Sequence, residues 1–157
     1  LLFKKYSRGI QRIIERIVLD EHKSEDIMQE VFLKVYKNLG KFKFKSSVFT
    51  WLYRIAVNTA LSYKASRKAS ENELGEQTLK TMDNQVESNF EKENIKNRIK
   101  EAVNTLPKKQ RAIFTLRFYE KMPFKDVANI LKIKENAAKV NFHHALGKLK
   151  NMLEDLL

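Results

Sequence analysis

Two sets of side chains in this sequence have the types and spacing to hold nucleic acid. The first lies in Lys41–Tyr63, KFKFKSSVFTWLYRIAVNTALSY, where Lys41, Lys43 and Lys45 alternate with Phe42 and Phe44, and Ser46 and Ser47 lead into an aromatic-rich apolar run. A lysine neutralises a phosphate and an aromatic face stacks on an unpaired base, so the pairing beside a rigid helix predicts a site for single-stranded nucleic acid. Thr50, Arg54 and Asn58 recur at helical spacing on one narrow polar stripe, with Trp51 at its edge. The second set is Lys139, Val140, His143 and His144, at the front of a predicted last helix, where side chains reach base edges in a major groove. Plainer readings stand beside these. Phe49, Trp51 and Tyr53 would serve a core equally well, and the Lys/Phe stretch could be a solvated loop with anchoring rings.

No catalytic chemistry is expected. Gly9, Gly40, Gly75 and Gly147 are isolated, so no glycine loop cradles a phosphate, and no carboxylate or His/Cys cluster stands out. His143 and His144 are adjacent and diverge on a helix, and His22 is far off in sequence, so neither a metal nor another cofactor is expected. There is no cysteine, which fits a reducing compartment. The excess of 31 Lys+Arg over 19 Asp+Glu gives a charge of +12 and calls for a polyanionic partner: DNA, RNA or an anionic membrane. No apolar run approaches the roughly 18 residues of a span, so membrane insertion is not expected. Because the sequence opens on leucine, an initiator residue is expected ahead of it.

The elements that must position these residues read as helices. Phe3, Tyr6, Ile10, Ile13, Ile14 and Ile17 share one face. Ser24 is expected to cap a second helix, with Glu25 and Asp26 complementing its dipole, Ile27, Val31 and Val35 inward, Met28, Phe32 and Leu39 beside them, and Gly40 at its end. A third helix follows Ser46 or Ser47. Ala69–Asn94 then carries seven acids against two lysines and few apolar residues, the pattern of a flexible tether. Beyond it Ile95, Ile99, Ala102, Val103 and Leu106 form one face, and Pro107 separates that helix from one using Ala112, Ile113, Leu116 and Phe118. Pro123 opens a short helix, and after Lys132–Glu135 a longer one, capped by Asn136, turns Ala138, Phe142, Ala145, Leu149 and Met152 inward. Short helix, turn, longer helix is a helix-turn-helix. The expectation is therefore an all-α chain of two small helical domains, 1–67 and 94–157, joined by a flexible acidic linker over 68–93, with the relative placement of the two left open.

At this point SEDIMQEVFLKVYKNLGKF, SSVFTWLYRIAVNTALSY and LPKKQRAIFTLRFYEKMPFKDVANILKI resemble the motifs of bacterial extracytoplasmic-function (ECF) sigma factors of the sigma-70 family. The resemblance covers most of 1–67 and 95–155, in the family's order. It implies a cytoplasmic promoter-specificity subunit with no catalysis of its own. Asp26, Gln29, Glu30 and Phe32 would dock on the β′ clamp helices of the RNA polymerase core. Phe42, Lys43, Phe44, Lys45, Ser46, Ser47, Thr50, Trp51, Arg54 and Asn58 would capture the −10 strand. Lys139, Val140, His143 and His144 would read the −35 duplex while their domain rests on the β flap, and an anti-sigma factor would be a further partner. The sequence departs from the family pattern at Lys132, where glycine is common, at Phe44-Lys45 in the loop, and in the Asn136–His144 stretch. The competing reading is a stand-alone helix-turn-helix regulator with 1–67 as a sensor or dimerisation domain.

Overall fold

Helix α1 (Leu2–Val18) forms where isoleucines recur at helical spacing, and Ile10, Ile13, Ile14 and Ile17 are all fully buried. The computed structural model describes residues 2–68 and 87–156. Leu19 ends α1 in a left-handed conformation, φ 61°, while its N–H still reaches the Glu15 carbonyl at 2.8 Å. Helix α2 (Glu21–Asn38) starts a turn earlier than expected. Its cap is Asp20, whose carboxylate accepts the Lys23 N–H at 3.0 Å. Ser24 is buried inside the helix and its hydroxyl donates back to the Asp20 carbonyl at 2.6 Å. An aspartate at the cap satisfies a free N–H and also opposes the helix dipole, so the earlier start wins. Ile27, Val31 and Val35 are buried as expected. The chain then tightens into a 3₁₀ turn over Leu39–Lys41, and Gly40 lies within that turn.

Helix α3 (Val48–Lys68) is capped by Ser47, whose hydroxyl oxygen accepts the Thr50 N–H at 3.0 Å. Leu52, Tyr53, Ala56, Val57 and Ala60 are buried. Gly9 of α1 faces Tyr53, and a β-carbon there would collide with the tyrosine hydroxyl. The C-terminal part comprises α4 (Glu87–Thr105), α5 (Lys108–Phe114), α6 (Phe124–Leu131) and α7 (Glu135–Met152). Because α4 starts at Glu87, residues 87–93 are helix rather than tether; residues 69–86 of the expected linker lie outside the described residues. Pro107 and Pro123 occupy the N-cap positions of α5 and α6. Lys134 holds that position for α7, so Asn136 stands in its first turn instead of capping it.

Ile95, Phe118 and Met152, expected inside, are exposed, as are Phe32 and Leu39, expected to widen the buried stripe of α2. Phe118 has a specific cause. Helix α5 runs on as a π turn over Thr115–Tyr119, with the Glu120 N–H reaching back five residues to Thr115. The wider turn shifts the helical register, so Phe114 is buried and Phe118 lies outside, stacked on it at 5.0 Å.

The two parts are not separate bodies among the described residues. One core contains Ile10, Ile13, Val31, Leu52 and Val57 from the first part and Ile113, Leu116, Val127 and Ile130 from the second. A smaller cluster of Ala102, Val103, Leu106, Phe114, Ala145 and Leu149 joins α4, α5 and α7. The reason is visible in α3: a helix apolar on most of its circumference needs a further layer beyond its two neighbours, and α6 supplies it.

Candidate nucleic-acid interface

The loop after α2 arranges its rings in a row. Phe42 lies between Phe44, at 4.7 Å, and Trp51 of α3, at 4.8 Å. Phe44 has φ 54°, and that reversal leaves its side chain 79% exposed. Lys41, Lys43, Lys45 and Ser47 are also exposed, whereas Phe42 and Ser46 are half-buried. Cations and an open ring face thus share one bend, a combination that attracts phosphate and accepts a stacked base.

The polar stripe of α3 is not the open edge expected. Thr50 is buried, and its hydroxyl is bonded to that of Ser47 at 2.9 Å, so it belongs to the helix cap. Asn58 donates its side-chain amide to the Ile130 carbonyl of α6 at 3.1 Å and lies under that helix. Trp51 and Arg54 remain half-exposed, and the Arg54 Nε is enclosed without a hydrogen-bond partner. Stripe membership was legible from spacing; the cover over Asn58 was not, because it comes from Ile130, 72 positions away.

On α2, Asp26, Gln29 and Phe32 are exposed. Glu30 pairs with Lys34 at 2.7 Å, and the same ammonium donates to the Thr59 hydroxyl at 3.2 Å. Gln29 and Phe32 line an open groove of about 550 Å³ between α1 and α2, together with Phe3, Gln11, Met28 and Leu33. Phe3 meets Phe32 edge to face at 5.0 Å. Asp26 and Glu30 lie outside that groove lining. Leu33 and Tyr36 are exposed on α2 as well and were not singled out from sequence; Leu39, expected beside the buried stripe, is exposed in the 3₁₀ turn that follows. Their signal was present: an apolar stripe at 32, 33 and 36 runs along α2 and on to Leu39, besides the buried one at 27, 31 and 35.

The helix-turn-helix is α6, a turn, and α7. Lys132 adopts φ 54°, ψ 47°, the left-handed conformation that a glycine would hold without strain. The Ile133 N–H closes the turn on the Ala128 carbonyl at 3.0 Å. Lys139, Val140, His143 and His144 are all exposed on α7, in two pairs one turn apart. Lys139 pairs with Glu135 at 3.2 Å, whereas Asn141 folds its amide onto its own helix at the Ala137 carbonyl. Asn136 is exposed at the front of α7, beside this set.

Buried polar groups join the two parts. Arg111 of α5, only 3% exposed, donates to the carbonyls of Asn104, at 2.9 Å, and Leu106, at 3.2 Å, after α4, and to that of Ile17, at 2.8 Å, at the end of α1. Burial pulls its guanidinium below its ordinary pKa. Among the described residues no carboxylate pairs with it; the negative ends of two helices face it. Lys108 donates to the Leu61 carbonyl at 2.6 Å. The Tyr53 hydroxyl donates to Glu120 at 3.2 Å. Burial pushes that phenol above its ordinary range, and the Glu120 carboxylate adds to the shift, so Tyr53 stays protonated and donating. Arg16 lies 3.9 Å from Glu120 and caps the Tyr119 ring at 3.8 Å.

Residues 2–70 match the family model described as Sigma-70 region 2, and residues 96–149 match that for Sigma-70, region 4. The RNA polymerase sigma-H factor of Pseudomonas aeruginosa is 30% identical over all of this chain and 86% of its own length. The chain belongs to the sigma-70 family. The ECF RNA polymerase sigma-E factor of Haemophilus influenzae is 26% identical over the whole chain and 88% of its own length. This chain is thus an RNA polymerase sigma factor of the ECF type. Its fold matches that of the sigma factor RpoE from Bartonella quintana, seen with the anti-sigma factor NepR, at a TM-score of 0.78, 18% identity, 97% of this chain and 94% of that one. Among the described residues no helix is long and apolar enough to cross a membrane.

Proposed function

We infer that this sigma factor divides its work between its two parts, 1–67 and 94–157. The outer face of α2, with Asp26, Gln29, Glu30 and Phe32 and with the exposed Leu33 and Tyr36 beside them, docks on the polymerase clamp helices. An exposed apolar stripe bordered by carboxylates is the chemistry of a helix-on-helix contact. The bend from Phe42 to Ser47, with Trp51, Arg54 and Asn58 behind it, takes an unstacked base of the −10 strand. Helix α7 reads the −35 duplex through Lys139, Val140, His143 and His144, with Asn136 as an added contact. Thr50 acts through the Ser47 cap and does not touch DNA. The protein supplies no catalysis of its own, works in the cytoplasm, and has an anti-sigma partner of the kind that RpoE of Bartonella quintana has in NepR.

The observation that carries this reading is the row Phe44–Phe42–Trp51, open at Phe44 and flanked by free lysines. Rings in such a row have no packing role at their exposed end, whereas a stacked base returns about 1–3 kcal/mol. The test is reconstitution with core polymerase on a promoter carrying a fluorescent base in the −10 strand. Trp51→Ala is expected to lower strand opening roughly 5- to 100-fold while core binding stays unchanged. Equal losses in both would place Trp51 in the fold instead. Protection of a duplex site by the protein alone, without polymerase, would favour a stand-alone regulator.

A further inference from the structure

We propose that the outer edge of α1, with Lys5, Arg8 and Arg12, is a phosphate track that carries the promoter strand onward from the −10 bend. The inference rests on the reading that the Phe42–Ser47 bend holds that strand. All three side chains are exposed. Among the described residues none of the three makes a side-chain hydrogen bond or an ion pair. Several exposed cations on the other helices do have partners: Glu30 for Lys34, Glu135 for Lys139 and Asp155 for Arg98. The charge also works against its own helix. The first turn of α1 holds no acid, and Lys4 and Lys5 stand where the dipole favours a carboxylate. Arg8, Arg12 and Arg16 recur four apart, a spacing at which like charges repel. Of these only Arg16 is relieved, by Glu120 at 3.9 Å. Glu15, the one acid within α1, accepts the Gln11 amide at 2.9 Å. A row of cations that costs its helix stability and has no internal partner is suited to an external polyanion.

Position decides which polyanion. Tyr6 packs on Phe49 of α3 with ring centres 5.8 Å apart, and the Lys5 ammonium lies 5.6 Å over the Tyr6 ring. One turn on, Gly9 meets Tyr53. Phe49 follows two residues after Ser47, the cap at which the bend ends. The track therefore begins beside the strand site, with the Tyr6 and Phe49 rings between them. From Lys5 to Arg12 the helix rises about 10.5 Å, the rise of about three nucleotides. A backbone leaving the bend past Phe49 meets about one cation per phosphate. Such contacts add salt-dependent affinity and hold the strand's direction without reading its sequence. An anionic membrane surface calls for an apolar face beside the cations, and the isoleucines of α1 at 10, 13, 14 and 17 are all buried.

Counterion release supplies the measurement. Lys5→Gln, Arg8→Gln and Arg12→Gln together remove three charges and keep good helix formers in place. The full chain on saturating core polymerase is titrated against a promoter carrying a fluorescent base in the −10 strand, over a range of salt. The slope of log affinity against log salt is expected to become shallower by about 2, at about 0.7 for each single-strand phosphate. Affinity near 0.1 M salt is expected to fall roughly 10- to 100-fold. Arg8→Lys with Arg12→Lys keeps the charge and is expected to keep the slope. Neutral methylphosphonate linkages at three successive positions on one flank of the captured base should flatten the slope for the unsubstituted protein and leave that of the triple variant where it is. An unchanged slope in the triple variant, with strand opening intact, overturns the track alone. Flattening by neutral linkages on neither flank does the same. Loss of core binding, or a lower midpoint in urea, would put the stripe in the docking face or in the fold and equally refute it; relieved repulsion predicts a midpoint equal or higher. If the variant loses binding to phosphatidylserine vesicles while its promoter slope stays unchanged, the stripe serves a membrane instead. Should the unsubstituted protein bind the promoter with core polymerase and never open the −10 strand, the strand-capture reading fails, and the track falls with it.

Discussion

Lys132 sits in the left-handed region with no glycine's freedom to do so. A β-carbon there costs about 1–2 kcal/mol against the neighbouring carbonyl, partly offset by the larger entropy a glycine loses on folding. Lys132→Gly is therefore expected to raise stability by up to about 1 kcal/mol, read from urea unfolding; a loss would show that the lysine side chain makes a contact worth more than the strain. At this scale much of the site was legible beforehand. Exposure of Lys139, Val140, His143 and His144 followed from the apolar spacing of α7, because a wheel that fixes the buried face also fixes the free one. Thr50 was placed on the right stripe, but its hydroxyl is buried against the Ser47 cap instead of facing solvent. A hydroxyl three residues after a serine has two outlets, solvent or the cap, and spacing alone does not choose between them. Ser24 failed similarly: two acceptors, Asp20 and Ser24, were both able to cap α2, and the charged one took the position.

Helices were the most legible level, since isoleucines at 10, 13, 14 and 17 or valines at 31 and 35 admit one periodicity. What periodicity does not carry is a change of pitch. The π turn at Thr115–Tyr119 rotates everything after it, and Phe118 left the core for that reason. Nor does it carry how closely two helices approach. Helices α1 and α3 meet at Gly9 and Tyr53, where the missing side chain makes room for the phenol. Gly9→Ala should improve helix propensity by about 1 kcal/mol, yet cost about 1–3 kcal/mol through overpacking. A net loss in thermal unfolding is expected, shrinking when Tyr53→Phe removes the hydroxyl. A loss of the same size in both backgrounds would show that this contact is not its cause.

For the whole molecule, the sequence divided at its acidic stretch into two equally charged halves and left their relative placement open. Burial decides it. Residues 1–67 and 95–157 each carry 14 basic and 6 acidic side chains, but exposed like charges beyond about 10 Å are screened at ordinary salt, whereas the apolar core they share is not. Pairing between elements so distant in sequence leaves no local trace, which is why the shared core could not be read in advance. Arg111 is its most consequential member. Arg111→Met keeps most of the volume and removes the charge, leaving three helix-end carbonyls without a donor; the expected cost is about 3 kcal/mol or more. Urea titration of the full chain measures it, and a change under about 1 kcal/mol would mean that water enters and serves those carbonyls equally well.

That guanidinium recognises only main chain at Ile17, Asn104 and Leu106. Every amino acid brings the same oxygen to those positions, so drift in the side chains opposite Arg111 leaves its grip untouched. A hybrid joining this C-terminal half to a different member's first three helices therefore inherits the staple ready-made, provided the helix ends fall in the same place.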